Sequence, residues 1–221
     1  MTYQEIVIFL FENKDDNFAI FSKRLINSTL NVIGVKTPIL RKLIKEHYKD
    51  DDLKLSDFEH GQYVEIESIY FGVGLLRCKD IDEQLKFIKE NIKYASSWAI
   101  TDTVTAYFKK CPYEKFWEFF LENNNSELTY LRRFSYVFGL KFSNDPRILE
   151  TFKYIKENEE YMVMMAEAWL LSFVAVYFPK EVYDYLSSFK DLSLKRKAIS
   201  KIVDSYRFEE DVKEKFKSLR P

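Results

Sequence analysis

The segment WAITDTVTAYFKKCP, residues 98–112, returns twice in altered form along the chain. RFSYVFGLKFSNDP starts 35 residues after Trp98, at Arg133, and WLLSFVAVYFP starts after another 36, at Trp169. Each segment is an apolar run with a phenylalanine nine or ten residues after its first residue and a proline at its end. A helix pair repeated at such a period is typical of an α-solenoid, in which each pair stacks on the next. The sequence therefore predicts an all-α protein.

The prolines that end these segments open three amphipathic stretches, near residues 113–122, 147–157 and 180–188. Proline is favoured at the first position of a helix, so each stretch is predicted to be the second helix of a pair. The Trp, Gly and Tyr positions of the tetratricopeptide repeat are not visible, which favours HEAT-like repeats. We expect a single HEAT-like domain over residues 1–221.

Helices are also predicted before the repeats. Thr37 is the expected N-cap of a third helix, with Pro38 at its first position. Gly72 and Gly74 lie inside an apolar helix predicted at residues 62–78. Glycine weakens a helix, so its presence there indicates close approach to a neighbouring helix.

Composition restricts the function classes. With a net charge of −1 over 221 residues, binding of nucleic acid must come from a local basic patch. Two cysteines are no disulfide framework, and neither a CxxC motif nor a histidine cluster suggests a metal, so we expect no metal or cofactor. The apolar run near the N-terminus is short, has acidic flanks and lacks a basic segment, unlike a signal peptide or an anchor. We expect a cytoplasmic monomer without membrane contact.

Trp98 and Asp102 lie four residues apart, which places them one turn apart on one face of a helix. An indole face and a carboxylate both attract cations, so the pair is a candidate receptor for a positive group. Because Trp98, Arg133 and Trp169 hold equivalent places in successive repeats, we expect them to form a row on the concave surface. The alternative is that they are core residues at a repeat position, although an unpaired arginine is rarely buried.

With these segments the sequence resembles the HEAT-repeat alkylpurine DNA glycosylases, the AlkD-type DNA alkylation repair proteins. The resemblance covers most of the chain. It rests on IGVKTPILRKL (residues 33–43), Trp98 with Asp102, LRRFSYVFGLKF with Arg133, EAWLLSF with Trp169, and LKRKAISKIVDSYR (residues 194–207).

The resemblance implies a superhelix whose concave basic face holds duplex DNA, and release of N3- and N7-alkylated purines by hydrolysis of the N-glycosidic bond. It implies that Asp102, Trp98 and Trp169 contact the deoxyribose of the lesion as catalytic residues, and that Arg133 lies near the DNA backbone. The other basic residues that we predict to contact DNA are Arg132, Arg41, Lys42, Lys195, Arg196 and Lys197.

Two functional classes stay open. Ser97 stands where active members can carry a second tryptophan, and Leu25 stands where they place a tyrosine. The first class is a monofunctional glycosylase, which we favour. The second is a non-catalytic module that binds DNA or serves as a scaffold for protein. If DNA binds, the acids are expected on faces away from the lysines: residues 50–52, Glu65, Glu67 and residues 157–160.

Overall fold

The structure is a computed structural model that describes residues 1–26, 28–157 and 159–220. Within these ranges the protein is all-α, as predicted, and forms no strand; Asn31 and Tyr63 make one isolated bridge. In the same ranges no helix combines the length and the apolar character needed to cross a membrane. The chain divides into two compact units, Met1–Cys111 and Pro112–Pro221. That it is a single domain stays a prediction.

The first unit is arranged around one buried helix. The α-helices described in this unit are α1 (Tyr3–Glu12), α2 (Asp16–Ile26), α3 (Thr37–His47), α4 (Val64–Arg77), α5 (Ile81–Asn91) and α6 (Trp98–Val104). Short 3-10 helices lie at Leu55–Asp57, Ile92–Tyr94 and Thr105–Tyr107. Every residue of α4 from Val64 to Leu75 is buried, and α4 packs against α3, α5 and α6.

Two glycines permit this packing. A Cβ atom on Gly72 would lie 2.7 Å from Cδ1 of Ile44 on α3, closer than real Cβ atoms approach. A Cβ atom on Gly74 would lie still closer to the ring of Phe87 on α5. The close helix approach predicted from these glycines is therefore confirmed.

Glu65 and Glu67 on α4 stabilise neighbouring loops. Both are buried, so the expectation that they lie on a surface away from the lysines is wrong. The buried carboxylate of Glu65 accepts backbone N–H groups from Ile33 at 3.0 Å and Gly34 at 2.8 Å. Gly34 has a φ of +101°, a conformation that favours glycine. Glu67, also buried, accepts the N–H of Gly61 at 2.8 Å. Both carboxylates thus hold irregular backbone against α4.

The second unit stacks its helices in series. Its described α-helices are α7 (Tyr113–Asn123), α8 (Thr129–Gly139), α9 (Tyr161–Val174), α10 (Pro179–Ser188), α11 (Leu192–Val203) and α12 (Glu210–Lys217). Helix α8 packs along α9 and α9 along α11, while α7, α10 and α12 contact α8, α9 and α11 respectively. A row of helices, each with an outer companion, is the arrangement of a helical-repeat solenoid.

The repeat segments do not begin where their helices begin. Trp98 is the first residue of α6, but α8 and α9 start before Arg133 and Trp169. The three repeat segments therefore correspond to one another at the ends of their helices, where the phenylalanine and the proline follow, and not at the helix starts. The predicted cap of α3 shifts likewise: Lys36 is the N-cap and Thr37 the first helical residue.

The stretch predicted as a helix at residues 147–157 is a 3-10 helix, Pro146–Tyr154. Its carbonyl oxygens find partners outside the segment, because the hydroxyls of Tyr113, Tyr136 and Tyr185 each donate to one of them. Carbonyls that accept from neighbouring helices offset the poorer internal bonding of a 3-10 helix.

Candidate functional site

Helix α6 carries the predicted cation receptor. Trp98 and Asp102 are both half-buried and lie one turn apart on this helix, as their spacing predicts. The carboxylate of Asp102 accepts a hydrogen bond at Oδ1 from the Thr101 hydroxyl at 3.1 Å. The Thr105 hydroxyl donates to the backbone carbonyl of Asp102 at 2.8 Å. Asp102 therefore sits in a hydrogen-bonded turn with its side chain within reach of solvent.

The end of α2 holds the start of α6. The indole N–H of Trp98 donates to the backbone carbonyl of Leu25 at 3.1 Å, which fixes the edge of the ring. The hydroxyl oxygens of Ser28 and Ser96 lie 2.8 Å apart and share a second hydrogen bond. The Leu25 side chain itself is 55% exposed, so only its backbone serves this contact.

Ser97 belongs to the interior. It is fully buried at the N-cap of α6, and its hydroxyl has no hydrogen-bond partner within the described ranges. A large aromatic side chain at this position would need room inside a packed unit. In this chain the side chain at position 97 is therefore part of the packed interior at the start of α6.

The two arginines of α8 are buried, which corrects the expectation of an exposed Arg133. Arg133 is 4% exposed, and its Nη1 donates to the carbonyl of Met162 at 2.5 Å. Arg132 is 9% exposed and pairs with Glu160 at 2.7 Å and Glu159 at 3.3 Å. Its charge is already compensated by two carboxylates, which argues against a phosphate contact for Arg132.

Trp169 lies in a row of aromatic rings on α9 that face cations from α11 and the turn after it. The ammonium of Lys201 is 5.9 Å from the centroid of its ring, within the range of a cation–π interaction. We call the row the α9–α11 strip; its pairs are Tyr161 with Lys197 (6.0 Å), Trp169 with Lys201, and Phe173 with Arg207 (3.9 Å).

The remaining predicted DNA contacts differ in their surroundings. Arg41 and Arg196 are exposed, and Lys195 is half-buried. Lys42 is exposed and lies 3.9 Å from the Glu46 carboxylate one turn on. Their role in binding DNA stays a prediction, as does the row of Trp98, Arg133 and Trp169.

Sequence reasoning did not single out Arg207, and it recognised Lys201 only as a member of the basic cluster near the last repeat. A signal was present in α11, LSLKRKAISKIV, which contains four basic residues and no acid. Lys197 and Lys201 are one turn apart and so share a face, whereas three consecutive basic residues point in different directions. The four-residue spacing of Lys197 and Lys201 would therefore have identified them as the two residues of the basic cluster that share a helix face.

A buried carboxyl group lies two residues before Trp169. Glu167 is fully buried, and neither of its oxygens has a hydrogen-bond partner within the described ranges. Burial, reinforced by the charge of Glu159, raises the pKa of Glu167 to about 8. The hydroxyl of nearby Tyr136, which donates to the carbonyl of Tyr154, offsets only part of this effect. Glu167 is therefore mostly neutral at pH 7.

In the described ranges no three His, Cys, Asp or Glu side chains group so that they could hold a metal ion. A protein-family model matches residues 10–202 of the chain, and its family is described as DNA alkylation repair enzyme. No curated protein matched the chain.

Proposed function

The chain belongs to the DNA alkylation repair enzyme family, which gives it a role in DNA repair with DNA as a partner, and from this premise we propose its reaction. It hydrolyses the N-glycosidic bond of purines alkylated at N3 or N7 in duplex DNA. Water adds to C1′ of the deoxyribose and loses a proton. The electrons of the broken bond return to the purine and neutralise its charge, which leaves an abasic sugar.

The chemistry of this bond suits the residues on α6. An alkylated purine is already a cationic leaving group, so the main need is to stabilise the positive charge that grows on the sugar. A carboxylate and an indole face can do so by preorganised electrostatics. In this proposal Asp102 stabilises the sugar cation and orients the attacking water, and Trp98 contributes its ring face.

The observation that carries the proposal is the placement of Asp102. Its carboxylate is half-buried, held by the Thr101 hydroxyl, and one turn from a half-buried indole whose edge is fixed by Leu25. A charge in that setting acts more strongly than one in bulk water, because fewer solvent dipoles screen it. In this proposal the pair receives the positive charge that develops on the deoxyribose of an alkylated purine, a substrate that fits the family's role in DNA alkylation repair.

One observation favours a second candidate function, DNA binding without catalysis. The Trp169 ring already faces the Lys201 ammonium at 5.9 Å. A cationic sugar at the same face would be repelled by that ammonium, whereas a phosphate would be attracted. Trp169 is thus better suited to a DNA-backbone contact than to the catalytic role that the resemblance implies.

The experiment is incubation of the protein with duplex DNA that contains 7-methylguanine, with free base measured against spontaneous loss. Release above background that falls strongly in Asp102→Asn supports the glycosylase. An exposed carboxylate far along the chain, Asp184 on α10, provides the matched control Asp184→Asn, which should release base at the wild-type rate. DNA binding with no release above background rejects the glycosylase and supports the second candidate.

A further inference from the structure

A groove of about 480 Å³ lies between α7 and the 3-10 helix Pro146–Tyr154 in the second unit. We call it the α7 groove. Its lining consists of aromatic and charged side chains: Tyr113, Glu114, Trp117 and Glu118 from α7, with Arg147 and Glu150 from the 3-10 helix. Neither element carries a residue of the proposed reaction or a predicted DNA contact, so the groove is a separate feature of the surface.

One cation already lies in the α7 groove and shows how the groove holds a positive group. The guanidinium of Arg147 lies over the ring of Tyr113, 4.1 Å from its centroid. Its Nη1 donates to Glu114 at 2.6 Å, and its Nη2 donates to Asp145 at 2.7 Å. An aromatic face with carboxylates beside it is therefore an arrangement that holds a guanidinium in this chain.

The ring of Trp117 lies one turn further along α7. It is half-buried and nearly parallel to the ring of Tyr113, with 6.2 Å between the centroids and 15° between the planes. Contacts with the rings of Phe120 and Tyr154, whose centroids are 5.5 and 5.9 Å away, hold it in this orientation. The indole is thus a fixed ring with part of its surface open to solvent.

This second ring has no cation of its own. In the part of the chain that the structure describes, no basic side chain lies over Trp117, and Glu118 forms no ion pair. Glu150 pairs with Lys153 on its own helix, but both side chains are more than half exposed, and such a pair is weak. A ring and two carboxylates are therefore open to a cation from outside.

The charge around the α7 groove is negative. Four carboxylates meet two cations there: Glu114, Glu118, Asp145 and Glu150 against Arg147 and Lys153. Such a surface repels a phosphate and attracts a guanidinium or an ammonium. The groove therefore suits a basic protein segment and does not suit DNA.

We propose that the α7 groove is a docking site for an arginine side chain of a basic segment in a partner protein. The guanidinium lies on the Trp117 ring and pairs with Glu118 and Glu150. This repeats the arrangement of Arg147 on Tyr113. Arginine suits the groove better than lysine, because a planar guanidinium stacks on a ring and donates to a carboxylate with two N–H groups. The inference is independent of the proposed reaction.

The test follows the indole N–H signal of Trp117 by NMR in protein labelled with ¹⁵N-tryptophan. The chain has three tryptophans, and Trp117→Phe identifies which signal belongs to position 117. A tri-arginine peptide with blocked ends should shift this signal saturably. The signal of Trp169, whose ring already faces Lys201, should stay in place. A tri-lysine peptide should bind more weakly, since an ammonium lacks the planar fork of a guanidinium.

Two charge variants should change the affinity for tri-arginine in opposite directions. Glu118→Gln removes a carboxylate from the groove and should weaken binding about two- to five-fold. Arg147→Gln removes a cation and uncovers the ring of Tyr113, so it should strengthen binding. Glu181→Gln, at an exposed carboxylate on α10, is the matched control and should leave the affinity unchanged. Thermal unfolding of every variant checks that the fold is kept.

The remaining outcomes contradict the inference. A Trp117 signal that does not respond to tri-arginine overturns it, as does equal affinity in wild type and Glu118→Gln. The same shift on addition of MgCl₂ would show an acidic surface without preference for arginine. A shift on concentrating the protein alone would make the occupant a second copy of this chain. Because no arm contains DNA, failure here leaves the proposed glycosylase standing, and absence of base release leaves the docking site standing.

Discussion

The indole N–H of Trp98 donates to the backbone carbonyl of Leu25 across 73 positions of sequence, at 3.1 Å. This bond connects the end of α2 to the first residue of α6. It sets the edge of the ring that the proposed reaction uses, so the orientation of Trp98 depends on a helix far from it in the chain.

Trp98→Phe tests the contribution of the aromatic ring separately from that of its hydrogen bond to Leu25. Phenylalanine keeps an aromatic face but cannot donate to Leu25, and a hydrogen bond of this kind contributes about 1 kcal/mol. We expect a small loss of stability by thermal unfolding and a partial loss of 7-methylguanine release. Trp98→Ala should lose far more of both. Equal release by Trp98→Ala and wild type would show that the ring takes no part in the reaction.

Asp102→Asn tests the charge on α6, because asparagine keeps the shape of the side chain and removes its charge. Loss of one preorganised electrostatic contact typically costs about 10²–10³ in rate. Since a cationic purine leaves readily, we expect a loss near the lower end. DNA affinity should hold or rise slightly, because a carboxylate near phosphates is repelled. Unchanged release at unchanged stability would remove Asp102 from the mechanism.

Glu65→Gln tests the anchor of the loop before α3. The glutamine amide has one oxygen in place of two and turns N–H groups toward the backbone N–H groups of Ile33 and Gly34. Buried donors left without acceptors cost about 1–3 kcal/mol each, so we expect a clear fall in the denaturant midpoint. Glu46→Gln, at an exposed carboxylate on α3, should change it little. Similar midpoints for both variants would contradict the assigned role.

Glu167→Gln tests the buried carboxyl beside Tyr136. Because its pKa is raised from 4.5 to about 8, the folded protein retains a proton that the unfolded chain releases. The stabilising contribution is complete below pH 4.5 and is lost as the pH rises through about 8. Full loss amounts to roughly 5 kcal/mol, at 1.36 kcal/mol for each unit of pKa between 4.5 and about 8.

We therefore expect Glu167→Gln to flatten the decline of unfolding free energy between pH 5 and pH 9, measured by denaturant titration. Glu118→Gln, at an exposed carboxylate on α7, should retain the wild-type decline. A wild-type protein with no decline over this interval would show that Glu167 ionises without cost.

Gly72→Ala tests the contact between α3 and α4. The added methyl group meets Ile44, which is 1% exposed and has little room to move. Overpacking of this kind costs about 1–3 kcal/mol. Gly139→Ala is the control, because the nearest atom to its Cβ would be Cζ of Phe116 at 3.3 Å. Alanine also favours a helix over glycine, so Gly139→Ala should be near neutral in chemical denaturation.

The sequence by itself determined the features that depend on local periodicity. The period of the repeat segments predicted the all-α class, and Gly72 and Gly74 predicted a close helix approach. The four-residue spacing predicted that Trp98 and Asp102 share a face of α6. These features were readable because a helix repeats over a few residues, so its pattern is present in any short stretch of the chain.

Only the tertiary structure decided which charges are buried and which remain at the surface. From the sequence, Arg132 and Arg133 were expected to contact DNA. In the structure both are buried, and Arg132 pairs with acids 27 and 28 residues further along the chain. Glu65 meets N–H groups about thirty residues earlier in the chain. The environment of a charge is set by whatever distant segment packs against it, and desolvation makes that environment decisive. Local pattern shows which residues share a helix face, and packing then decides which of those faces reaches solvent.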